Sequence, residues 1–191
     1  PTPVVGMLGL LDDTTKVMTS GFKNEGDAII LFGKNNGHVG GSEYLFVEHG
    51  LVAGDAPTID LEYEKRVQKT CREAIGEGLL KSAHDCSEGG LAVALAECTI
   101  QNSIGADIQL QSSDSPRFDF ALFGEDQSRI IITCSSEKRK AICDLAKMLN
   151  VDALVIGEVG SNRLKIRGGV DIECDAIRDA YQNSIEISMK R

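Results

Sequence analysis

The chain has 191 residues, with 29 Asp and Glu against 20 Lys and Arg, and a formal net charge of -9. With 42% apolar and 26% charged residues it has a globular composition, which argues against wholesale disorder, and it is long enough to bury a core without metal or disulfide staples. So acidic a surface repels phosphate backbones and argues against nucleic-acid and anionic-membrane partners, while a local site or a bound cation still admits a small anionic substrate.

Pro1-Thr2-Pro3-Val4-Val5 has no basic region, no cleavage pattern and no initiator Met, so it is expected to be an internal stretch of a longer protein. Val4 to Leu11 is apolar apart from two glycines and is expected to form a buried strand. Asp12-Asp13-Thr14 turns the chain, and Val17 to Thr19 is expected to pair back as a short strand. Ala28 to Phe32 reads as a buried strand, and glycine-rich Gly33 to Ser42 as a loop. Tyr63, Val67, Cys71, Ile75 and Leu79 recur every four residues, which predicts an amphipathic helix with Asp60 as its N-cap. Gly89 to Ile100 is almost wholly apolar or small and predicts a helix buried on most faces.

Ala106 to Leu110 reads as a strand, β-branched Ile130 to Cys134 as a central strand, and Ser136 to Leu149 as a helix. Ala153 to Val159, Leu164 to Arg167 and Val170 to Glu173 read as strands. A final helix should carry Ile177, Tyr181, Ile185 and Met189 on one stripe. Hairpin turns beside crossover helices indicate an α+β, mixed-sheet domain. No apolar run approaches the about 20 residues of a bilayer span. None of the six cysteines forms a CxxC pair, so buried reduced thiols are expected.

Three segments could carry chemistry. In His84-Asp85-Cys86-Ser87-Glu88-Gly89-Gly90, Asp85 and Glu88 have capping-box spacing before the apolar helix. The same carboxylates suit Mg2+ shared with a phosphate, and the glycines admit a close backbone approach. A capped helix with a satisfied His84 explains the segment as well. Gly124-Glu125-Asp126-Gln127-Ser128-Arg129 puts polar side chains at the mouth of a buried strand, where they form either a ligand-reading set or a solvated turn. Gly37 to Leu45 could cradle a phosphate at the following helix start or serve as a hinge. There is no GxGxxG, P-loop or GxSxG pattern. Cys86 sits between carboxylates that would raise a thiol pKa, and the three histidines are scattered.

Taken in order, Pro1 to Met7, Gly40-Gly41-Ser42-Glu43-Tyr44-Leu45, Ser82 to Glu97 and Gly124 to Arg129 resemble the phosphoribosylformylglycinamidine synthase family, specifically the C-terminal part of its synthetase. Glu88 stands where that family usually has Asp, and Cys86 where it usually has Val. The resemblance implies the C-terminal domain fold shared with aminoimidazole ribonucleotide synthetase, an α+β layered α/β/α domain with a partly ferredoxin-like mixed sheet. It implies residues 1–25 as the close of a preceding domain plus linker, and 26–191 as the C-terminal domain.

It implies an ATP-dependent ligase of purine biosynthesis, cytoplasmic, in which ATP activates an amide oxygen and glutamine-derived ammonia displaces phosphate. ATP and Mg2+ belong to the full-length parent, and the fragment alone requires neither and is expected to be inactive. The implied partners are the upstream domains and a glutaminase subunit or domain, with no nucleic acid and no membrane. Asp85, Ser87, Glu88, Gly89, Gly90, Glu125, Gln127 and Arg129 are the ligand-proximal candidates. No catalytic residue is assigned to this half, whose site in related enzymes holds a structural nucleotide or is silent. A purely scaffolding half, and a sister family such as thiamine monophosphate kinase or the selenophosphate and hydrogenase-maturation enzymes, are the alternatives.

Overall fold

The computed structural model describes residues 4–110 and 117–189. Within them, β1 (Ala28–Phe32), β2 (Ser82–Asp85), β3 (Ala106–Ile108), β4 (Ile130–Cys134), β5 (Ala153–Val159), β6 (Arg163–Ile166) and β7 (Val170–Glu173) form one sheet. The strand order is β2-β4-β1-β5-β3-β6-β7, antiparallel except for the parallel β3–β6 pair. The helices are α1 (Glu43–His49), α2 (Leu61–Gly76), α3 (Gly90–Ile100), α4 (Phe118–Phe123), α5 (Arg139–Met148), α6 (Cys174–Gln182) and α7 (Ser184–Met189).

The alternation of β1 explains the layering. Ile29 and Leu31 join Leu91 and Leu95 of α3 in one core, while Ile30 and Phe32 join Val67 of α2 and Ile142 of α5 in another. Side chains of successive strand residues point to opposite faces, so a strand with helices on both sides is apolar throughout. The result is the expected α/β/α layering around a mixed sheet. Leu91 and Leu95 are fully buried, and each contributes about 1.5–3 kcal/mol.

Asp60 caps α2, accepting from the amides of Glu62 and Tyr63 at 3.0 Å each. α3 begins differently. Gly89 and Gly90 both have positive φ (76° and 67°), and a Cβ at Gly90 would lie 2.4 Å from the carbonyl oxygen of Gly124. The two glycines thus turn the chain sharply and let it touch the loop before β4.

Several expectations need correction. Val4 to Leu11 has no strand and is exposed, Leu8 and Leu10 completely so. An apolar run becomes a buried strand only against a partner, and no other described strand reaches it. Pro1 to Pro3, the start of the resembling segment that runs to Met7, lie outside the described residues. Val17 to Thr19 is not a strand. It follows a 3-10 turn at Thr14–Lys16, and its tie to the sheet is the bond from Ala83 N–H to Thr19 O at 3.2 Å.

α5 starts at Arg139, because residues 136–138 form a turn closed by the Lys138 amide on Ser135 O. The third strand ends at Ile108 and not Leu110, and the strand expected from Leu164 to Arg167 sits one residue earlier. The final helix breaks at Asn183 into α6 and α7, leaving Tyr181, Ile185 and Met189 exposed.

Candidate functional site

Register brings two of the three singled-out segments together. Ile130 pairs with Asp85 of β2 on one side and Phe32 of β1 on the other. The chain therefore leaves β1 and β2, and enters β4, at the same end of the sheet. The loops at that end hold Gly40 and Gly41, Asp85 to Gly90, and Glu125 to Arg129. Together they wall an open cleft of about 1000 Å³.

Asp85, Ser87, Glu88, Glu125, Gln127 and Arg129 line the cleft, whereas Gly89 and Gly90 serve the turn behind it. The segment from Gly54 to Ile59 completes the mouth, with Glu64 and Gln68 from α2. Sequence reasoning missed these residues. The turn-forming Gly54-Asp55-Ala56-Pro57 run and its proximity to the Asp60 cap were the available signals. That segment is clamped onto the glycine loop: His38 Nε2 lies 2.8 Å from Asp55 O, and the Gly41 amide donates to Ala53 O at 2.8 Å.

The capping-box reading of Asp85 and Glu88 is overturned. The residue preceding α3 is Gly89, which offers no side-chain cap. Asp85 instead accepts from Ser87 Oγ at 2.8 Å. The Gly89 amide donates to Glu125 Oε1 at 2.8 Å, and the same oxygen accepts from the Glu43 amide at 2.9 Å. One carboxylate oxygen therefore serves the N-termini of α1 and α3.

Its neighbour Asp126, which was not among the candidates, is buried and takes the amides of Gly37 (2.8 Å) and His38 (3.3 Å). The phosphate-cradle expectation for the glycine loop fares no better. Ser42 Oγ accepts from the Leu45 amide, and Glu125 holds the Glu43 amide, so side chains of the protein already occupy that helix start.

Arg129 is 2% exposed and spends its guanidinium inward. It donates to Asn35 Oδ1 at 2.7 Å, Gly124 O at 2.6 Å and Asp126 O at 3.2 Å. The cleft wall is therefore acidic, formed by Asp85, Glu88, Glu64 and Glu125, with its lining arginine turned into the fold.

His84 is satisfied, with Nε2 2.8 Å from Glu97 Oε2. The thiol of Cys86 is pushed up to about 11, chiefly by burial and only secondarily by Asp85. Burial likewise pushes Cys71 and Cys134 up to about 11, and all six cysteines are free thiols. Among the described residues no group of three or more His, Cys, Asp or Glu side chains is placed to hold a metal ion. Mg2+ therefore does not fit this wall as a protein-built cage.

Residues 24–169 match the family described as AIR synthase related protein, C-terminal domain. Along its whole length the chain is 52% identical to the phosphoribosylformylglycinamidine synthase subunit PurL of Moorella thermoacetica, and it spans 26% of that relative. The fold is similar to that in a PurLQS structure from Thermotoga maritima, with a TM-score of 0.72 and 20% identity, over 86% of this chain and 28% of that one. It is also similar to T. maritima PurL complexed with FGAR, with a TM-score of 0.70 and 22% identity, over 86% and 30% of the two chains.

Proposed function

The chain belongs to the family of the AIR synthase related protein C-terminal domain, and from that premise we propose that it is the C-terminal part of a phosphoribosylformylglycinamidine synthetase subunit. The proposed reaction of the parent is ligation. ATP transfers its γ-phosphoryl group to the amide oxygen of formylglycinamide ribonucleotide. Ammonia adds to the activated carbon and phosphate leaves, giving the amidine, ADP and phosphate. Ammonia comes from a partner glutaminase, and the location is cytoplasmic. No helix among the described residues is long and apolar enough to cross a membrane.

In this reading residues 1–25 belong with the preceding domain and 26–191 form the C-terminal domain, whose cleft supplies one wall of a ligand site closed by upstream domains. The observation that supports it is convergence: the segments around Asp85 and Gln127 and the Gly40-Gly41 loop, far apart in sequence, meet at one cleft. Asp85, Ser87, Glu88 and Gln127 are proposed to face the ligand. Arg129 braces the wall from behind, and the isolated chain is inactive.

The test is the parent subunit, expressed with its glutaminase and assayed for ADP formation dependent on formylglycinamide ribonucleotide. Turnover that falls at least tenfold in Asp85→Ala or Glu88→Ala supports the reading, a loss within the usual range for a positioned ligand group. An active wild type with both variants at full rate refutes the wall assignment.

A second reading is a scaffold that binds nothing, favoured by the inward use of Arg129 and Glu125. Calorimetric titration of the chain with Mg-ADP separates the two, since micromolar binding excludes a purely structural half.

A further inference from the structure

Glu125 is the meeting point of two loops that face the cleft. Its Oε1 accepts from the Gly89 amide at the start of α3 and from the Glu43 amide at the start of α1. Those amides lie 36 and 82 residues away in sequence. The helix starts carry Ser87-Glu88 on one side and Gly40-Gly41 on the other, and all four residues line the cleft with Glu125 itself.

Few other contacts fix α1. It buries none of its own residues. Tyr44 anchors it by stacking on Phe123 at 5.2 Å and by donating from its hydroxyl to Asp119 at 2.7 Å. Both contacts run to α4, which packs against α3, so they join α1 to α3 at one remove. The Glu125 carboxylate joins the two helix starts directly, and its charge is stabilised by the partial positive charge at each helix N-terminus. Asp126 and Arg129 hold the backbone of this loop from below, so Glu125 projects from a rigid base.

We propose that Glu125 is a positioning residue that sets the width of the cleft mouth by bridging the two helix starts. It acts through the loops it holds and does not need to touch ligand. The proposal rests on the reading of the cleft as a ligand wall, and the test keeps the two separate.

The experiment uses the full-length parent subunit with its glutaminase and three variants: Glu125→Ala, Glu125→Gln and, as a stability control whose side chain is outside the cleft lining, Tyr63→Phe. Tyr63 bonds Asp152 through its hydroxyl, and neither residue lines the cleft. Hydrogen exchange is read at the Glu43 and Gly89 amides, and kcat and KM are read for ATP and for formylglycinamide ribonucleotide.

Glu125→Ala should speed exchange at both amides about tenfold or more, as expected for a lost charge-assisted bond. It should raise at least one KM about tenfold while kcat changes less than about threefold. Glu125→Gln should restore protection and KM to within about threefold, because an amide carbonyl accepts the same two bonds. Tyr63→Phe should leave exchange at these amides and both KM values unchanged.

Unaltered exchange in Glu125→Ala, altered exchange with unaltered KM values, or a Gln variant as impaired as Ala overturns the proposal. If the Ala variant does not fold, protected amides and near-normal KM in Glu125→Gln support it, and lost protection overturns it. A wild-type parent without ligase activity would sink the ligase reading, while the exchange data would still test the bridge.

Discussion

Arg129 donates from Nη1 to Oδ1 of Asn35 at 2.7 Å, joining the loop after β1 to the loop before β4 across 94 positions of sequence. The same guanidinium holds Gly124 O and Asp126 O, so three acceptors depend on one buried side chain. Arg129→Ala strips the buried Gly124 and Asp126 carbonyls of this donor and leaves the buried Asp126 carboxylate without the cation 3.9 Å away. It should cost about 3–5 kcal/mol, and Arg129→Lys should recover little because an ammonium lacks the planar fork. Urea-unfolding midpoints measure both, and a loss under about 1 kcal/mol for the Ala variant would contradict the bracing role.

Asp60 and Asp85 both precede helices and should respond differently. Asp60 accepts two amides at the start of α2, so Asp60→Ala should cost about 1 kcal/mol. Asp85 caps nothing, is 73% exposed and bonds Ser87, so Asp85→Ala should stay within about 0.5 kcal/mol. Equal losses in the two variants would restore the capping role to Asp85.

Inside the sheet, the hydroxyls of Ser82 on β2 and Thr133 on β4 lie 2.6 Å apart, and both residues are buried. Thr133→Val strands the serine hydroxyl and should cost about 1–3 kcal/mol. Ser82→Ala together with Thr133→Val should cost less than the sum of the single changes, because no unpaired group is left. A double-mutant cycle with additive losses would mean that the two hydroxyls do not interact.

The carboxyl of Asp119 is held down to about 2, first by the Arg117 guanidinium and then by the Tyr44 hydroxyl, against an ordinary 3.8. A lowered folded-state pKa means that the fold favours the carboxylate. Its contribution is complete above pH 3.8 and is lost as pH falls toward about 2. Arg117 is 58% exposed, so screening keeps the effect modest. Carboxyl NMR should place the Asp119 midpoint near 2, and Asp119→Asn should flatten the melting temperature across that window. A midpoint at 3.8 would mean that the Arg117 and Tyr44 bonds do not form in solution.

Much of this molecule was legible in its sequence where the signal was periodic. The four-residue recurrence from Tyr63 gave α2 and its Asp60 cap, and the β-branched run gave β4. Elements without their own periodicity were not legible. β2 reads Ser-Ala-His-Asp, and it is a strand because β4 pairs with it. α1 buries nothing, so it shows no apolar stripe. Conversely, Val4 to Leu11 has the composition of a strand but finds no neighbour.

For the site, the motif positions were visible, and six of the eight candidates line the cleft. Their jobs were not visible. Whether Glu125, Asp126 and Arg129 face ligand or backbone depends on amides dozens of residues away, and local spacing carries no information about those. The Gly54 to Ile59 segment was visible only as a turn beside the Asp60 cap, and turn composition does not say what the turn faces.

β1 is an interior strand of the sheet, and both strands beside it, β4 and β5, follow it by about a hundred residues or more. As the polypeptide leaves the ribosome, Ala-Ile-Ile-Leu-Phe emerges well before either neighbour and is not flanked on both sides until β5 has been made. Such wide separations slow the search for the native arrangement and expose a sticky segment meanwhile. Chaperone capture of the nascent chain should therefore be strongest before β5 has emerged.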